Sequence, residues 1–103
     1  MGKSYGLIEI SGVVAAMDAL DIMCKAADVT LSTWERKLGG RLVTIIVEGE
    51  VAAVSAAVEA ARTQAVKHVV SSGIIASPHE EIVRLVAMSR SRFAPEDGNG
   101  SDE

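Results

Sequence analysis

The chain is 103 residues long, enough for one domain, and 49% of it is hydrophobic, so a core can form although a domain this small leaves much of its surface uncovered. Aromatic residues are limited to Tyr5, Trp34 and Phe93, the formal net charge is −4 and no basic patch stands out, which argues against nucleic acid and against an anionic membrane surface as partners. No apolar run reaches the roughly 18 residues of a spanning helix, the single Cys24 cannot form an internal disulfide, and residues 1–5 lead into a strand-like segment without a secretory leader, so a cytosolic protein is expected.

Residues 5–10 read as a first strand, with Leu7, Ile8 and Ile10 as β-formers and Glu9 as the one charge. Ser11 is the expected N-cap of a helix that continues through Ala27. On it Val13, Met17, Leu20 and Cys24, flanked by Ala16, Met23 and Ala27, form one apolar stripe at helical spacing, which makes Cys24 a small core residue. Asp18, Asp21 and Lys25 fall on the other side, and Asp21 precedes Lys25 by four in the favourable order.

Residues 29–36 form a second, weaker strand, and Leu38-Gly39-Gly40-Arg41 reads as a turn. Residues 42–48 are the strongest strand: Val43, Ile45, Ile46 and Val47 make a nearly continuous β-branched run that predicts burial on both faces. Gly49 ends it, and Glu50 opens a second helix to about Ala65 with Val51, Val54, Val58 and Ala61 on one face. A fourth strand over 66–76 is expected to be irregular at Ser71-Ser72-Gly73. Ser77 as cap, Pro78 at the first helical position and Glu80 in a capping box mark the start of a short third helix. From about Met88 the composition turns polar and acidic, so residues 1–87 are read as the domain and 88–103 as a flexible acidic tail.

The order is therefore β-α-β-β-α-β-α, an α/β (α+β) chain of ferredoxin-like type: a four-stranded antiparallel sheet with three helices over one face. Nothing in it spells out catalysis. Gly39-Gly40 lacks the Gly-Lys-Ser/Thr of a phosphate loop, no glycine fingerprint opens a β-α-β unit, and the place a second zinc histidine would take after His79 is Val83. No catalytic residue, metal ligand or cofactor is assigned on this reading.

Three segments in register resemble a known family. Gly6-Leu7-Ile8-Glu9 with Gly12-Val13, Ala19, Asp21, Met23 and Lys25-Ala26-Ala27 is similar to the first third of the hexameric shell proteins of bacterial microcompartments. The run from Val43 to Val54 resembles their central strand and second helix, and Ile74-Ile75-Ala76-Ser77-Pro78-His79 their closing segment. The resemblance covers residues 5–87 in unpermuted order and implies a non-enzymatic tile: a flat homohexamer that packs with other hexamers, and with other shell proteins, around encapsulated enzymes in the bacterial cytoplasm. It implies that Leu38, Gly39, Gly40 and Arg41 line a narrow pore for small polar metabolites on the six-fold axis. It also implies that Lys25 lies at the hexagon edge with Asp28, Ser77, Pro78 and His79 around it.

The chain departs from the family pattern in three ways. Arg41 stands where the loop usually has a third small residue, the hairpin over 31–42 is one residue longer, and Ser77 replaces the arginine that usually precedes Pro-His. The resemblance makes Glu9 a structural partner at a subunit or helix boundary, and Trp34 is left between the ring interface and the pore mouth. The rival reading is a small-molecule-sensing regulatory domain of ferredoxin-like fold, which would form dimers or trimers.

Overall fold

A computed structural model describes residues 3–36, 41–76 and 79–93, excluding the side chains of residues 81, 92 and 93. Its elements are β1 (Ser4–Ser11), α1 (Val13–Ala26), β2 (Thr30–Arg36), β3 (Leu42–Gly49), α2 (Val51–Gln64), β4 (Val69–Ile75) and α3 (Glu80–Phe93), in the expected order. The strands form one antiparallel sheet in the order β2-β3-β1-β4.

Alternation along the central strands sends one set of side chains to each face. Ile8 and Ile10 of β1 and Val43, Ile45 and Val47 of β3 are buried against Ala15, Ala16, Ala19 and Met23 of α1 and Val54, Ala57, Val58 and Ala61 of α2. Full burial of each of the larger aliphatic side chains contributes about 1.5–3 kcal/mol. The opposite face of β3, with Leu42, Thr44 and Ile46, is only half-buried, so the β-branched run is not enclosed on both sides as the sequence predicts.

The third helix departs most from expectation. It does not join α1 and α2 but lies on the other face of the sheet, across β2, where Ser89 and Arg90 bond to Ser32, Thr33, Glu35 and Glu48. It is also not short: it spans 14 residues, continuing through Met88, where the acidic tail was expected to begin. Residues 94–103 lie outside the described residues.

Two local expectations are corrected. Ser11 does not cap α1; it is the last residue of β1, paired with Leu42. Gly12 is the N-cap, with φ 96°, a backbone region that disfavours any side chain. Glu50 precedes α2 as its N-cap without a side-chain cap bond, and its carbonyl accepts the Val54 N–H at 2.9 Å.

The apolar stripe on α1 is rotated from its expected place. Ala15, Ala16, Ala19 and Met23 are buried, whereas Met17 is 66% exposed and Cys24 is exposed. Alanines let α1 lie close to α2 and the sheet, with Met23 as the one large side chain of α1 fully buried among them while Met17 turns outward. The irregularity in β4 falls at Val70, not at Ser71-Ser72-Gly73: Glu9 pairs with Ser71 and Ile10 with Val69, leaving Val70 as the extra residue. A second bulge, at Ser32 in β2, sits between Leu31, opposite Val47, and Thr33, opposite Ile46.

Gly6 marks the closest approach of sheet and helix. A Cβ built there would lie 2.6 Å from Cγ1 of Val54 and 2.8 Å from Cγ2 of Val58, both stiff β-branched side chains on α2. Gly6→Ala is therefore expected to destabilise the subunit by about 1–3 kcal/mol through overpacking. Urea unfolding checks this, the expected result being a lower midpoint at unchanged slope.

Candidate functional site

The antiparallel register gives the sheet two distinct ends. At one, Ser4 pairs with Gly49, Tyr5 with Ile75 and Thr30 with Glu48. The chain leaves α1 through Lys25 and Asp28 to enter β2 here, and leaves β4 toward His79 and α3. At the other end Ser11 pairs with Leu42 and Arg36 with Val43, so the β2–β3 connection lies there. Lys25, Asp28 and His79, expected at a tile edge, are thus separated from Arg41, expected at a pore, by the length of the strands.

Leu38, Gly39 and Gly40 lie outside the described residues, as do Ser77 and Pro78. Arg41 is exposed at the start of β3, and its carbonyl accepts the Gly12 N–H at 2.8 Å, which ties this end of the hairpin to the entry of α1. Lys25 is exposed and forms the expected i,i+4 ion pair with Asp21 at 3.0 Å. Asp28 is exposed, and its carbonyl would lie 3.0 Å from a Cβ at Gly49, so the α1–β2 corner is pressed against the end of β3. His79 is exposed, and its carbonyl accepts the N–H groups of Ile82 at 2.9 Å and Val83 at 3.1 Å, opening α3. Glu9 accepts hydrogen bonds from Ser71 at 2.7 Å and Thr44 at 3.3 Å, linking β1 to both neighbouring strands, both bonds running within the sheet and neither to a helix.

The sequence reasoning missed the two lateral edges of the sheet. Beyond α1, over β2, an apolar groove of about 210 Å³ is lined by Val13, Met17, Leu20, Leu31, Trp34 and Ile45. Trp34 is half-buried in its wall. Beyond α2, at β4, Val66 is 73%, Val70 54% and Ile74 42% exposed. These two apolar surfaces belong to opposite edge strands. The available signal was a surplus of apolar residues on α1, more than one buried stripe can accommodate.

The comparisons with known proteins fit this architecture. The sequence profile of the BMC domain matches residues 4–78. The chain belongs to the BMC-domain family, that of bacterial microcompartment shell proteins. It is 41% identical over 93 residues to the carboxysome shell protein CsoS1C of Hydrogenovibrio crunogenus, covering 87% of this chain and 90% of that protein. It is 45% identical over 86 residues to the carboxysome shell protein CcmK2 of Synechocystis, covering 80% of this chain and 82% of that one. The microcompartment shell protein PduA of Citrobacter freundii is 38% identical over 86 residues, covering 82% of this chain and 91% of its own. A crystal structure of a microcompartment protein from Desulfitobacterium hafniense superposes with a TM-score of 0.73 at 27% identity over 86% of this chain. The chain spans about half the length of that protein, 49%.

Among the described residues Lys25 makes only an exposed helical ion pair, an interaction of about 0.3–0.5 kcal/mol. Lys25→Ala is therefore expected to leave the unfolding midpoint almost unchanged. Thermal unfolding checks it; a large fall would show that Lys25 supports the subunit through more than the Asp21 pair.

Proposed function

We propose that this chain is a structural, non-catalytic tile of a microcompartment shell in the bacterial cytoplasm, closing head to tail into a six-membered ring that packs with other rings. The observation that carries the reading is the pair of apolar surfaces on opposite edges of the sheet. A ring repeats one heterologous contact, so each subunit needs two different sticky surfaces on two sides. The groove over β2 and the exposed Val66, Val70 and Ile74 beside β4 meet that need. The family membership and the shell proteins among its relatives support the same assignment, with other shell proteins and the enclosed enzymes as partners.

With neighbours docked on both lateral edges, the strands run between the axis and the rim. The β2–β3 turn then faces the axis and the corner of Lys25, Asp28 and His79 faces the rim, in keeping with the ends of the sheet they occupy. Around the axis, Leu38, Gly39, Gly40 and Arg41 line a pore. Small residues let six backbones converge, and six guanidinium groups at its mouth favour small anionic or polar solutes.

Size in solution tests the ring. Native mass spectrometry is expected to give six times the 10.8 kDa subunit for the wild type and monomers for Leu31→Asp, which puts a charge into the groove. A wild-type monomer, dimer or trimer would overturn the reading and favour a sensing module. Single-pore conductance tests the axis: Arg41→Ala is expected to reduce anion preference severalfold, and an unchanged preference would remove Arg41 from the pore.

A further inference from the structure

The contact that holds α3 differs in kind from the rest of the fold. Among the described residues of α3 only Val86 is a buried hydrophobic side chain, and no residue of the helix belongs to the main apolar core. Val83, Leu85 and Met88 are 43%, 57% and 59% exposed. A helix of 14 residues is marginal by itself in water, so its attachment depends on whatever else it touches.

Besides the buried Val86 and the half-buried Ile82, it is held by polar contacts. Thr33 donates to the buried Ser89 at 2.9 Å, and Ser89 donates to Glu35. Arg90 donates to the Ser32 carbonyl at 3.1 Å and to the Ser32 hydroxyl at 2.9 Å, and reaches Glu48 at 3.3 Å. Glu48 is also bonded to Lys3 at 2.8 Å, and only 14% of its side chain is exposed. The bulge at Ser32 makes this possible, because it brings the side chains of both Ser32 and Thr33 to the face under α3.

We propose that α3 is a latched helix, held on the open face of the sheet by the Ser89 and Arg90 contacts around Glu48 and Glu35, and that neutralising Glu48 releases it while α1, α2 and the sheet stay folded. Release uncovers Tyr5, Thr33 and the cleft between Lys3, Glu48 and Arg90, changing that face of the subunit without touching the apolar edges. The latch belongs to the single subunit and stands whether or not rings form.

The groups that face Glu48 are Lys3 ahead of β1, Ser32 on β2 and Arg90 on α3, with Tyr5 of β1 lining the same cleft. Burial pushes the Glu48 carboxyl upward, but the Lys3 bond and charge, the Ser32 bond and the Arg90 charge outweigh it and leave the pKa below the ordinary 4.5. A carboxylate with a depressed pKa in the docked state contributes stability above its ordinary pKa and loses it as pH falls through the lowered value. The Glu48 contribution to the latch is therefore complete at neutral pH and is lost in acid, as pH falls below the ordinary value and through the lowered one.

Amide hydrogen exchange of the full chain, expressed as protection factors, tests this. At neutral pH, α3 in Glu48→Gln and in Arg90→Gln is expected to lose about tenfold in protection, with β1, β3 and α2 unchanged. The wild type is expected to lose α3 protection selectively in acid, and Glu48→Gln to show a smaller pH dependence, since Glu35 remains as a titratable acceptor for Ser89. Equal α3 protection in all three proteins would overturn the proposal, as would a loss shared by the whole chain. Arg90→Gln alters an exposed side chain, so it reports on the latch even if Glu48→Gln does not fold.

Discussion

Two helices rich in alanine cannot cover a four-stranded sheet. That geometric constraint underlies most of what is distinctive in this subunit. Helices pack about 8–10 Å apart, with the smallest side chains giving the closest contacts. Here Ala15, Ala16, Ala19, Ala57 and Ala61 draw α1 and α2 together over the central strands β1 and β3. The edge strands β2 and β4 are left with apolar side chains that the single chain cannot bury. A small domain that exposes such surfaces on two opposite sides leaves them available for association, as the proposed ring requires.

The two faces of the sheet use different physics. On the α1–α2 side, burial of aliphatic side chains dominates, and Gly6 lets Val54 and Val58 approach the backbone of β1. On the α3 side, hydroxyls, a guanidinium and carboxylates join the buried Val86 in holding the helix. Hydrophobic packing is insensitive to pH, whereas charge-assisted bonds depend on the ionisation of a few groups. A subunit built this way can keep its body and lateral edges constant while one face responds to conditions.

Much of the fold was legible because hydrophobic periodicity and turn chemistry act locally. The runs at Leu7–Ile10 and Val43–Val47, the break at Gly49, and the order of elements all follow from nearest neighbours in sequence. So does the Asp21–Lys25 pair. The candidate site was legible only through family likeness: nothing about Lys25, Asp28 or Arg41 taken alone distinguishes it from an ordinary solvated charge. The apolar edges were misread because Met17 and Cys24 were placed by helical spacing on the buried stripe, whereas close packing selected the alanines beside them.

The sequence by itself determined the secondary elements, their order and the likeness to shell proteins, since these depend on local pattern and on the run of residues along the chain. Tertiary structure alone decided which stripe of α1 turns inward, that α3 crosses to the far face, and that the hairpin turn and the Lys25 corner lie at opposite ends of the sheet. Each of these depends on contacts between residues distant in sequence, such as Arg90 with Ser32 and Gly6 with Val58. Their strength depends on shape and register in three dimensions, which no local pattern encodes.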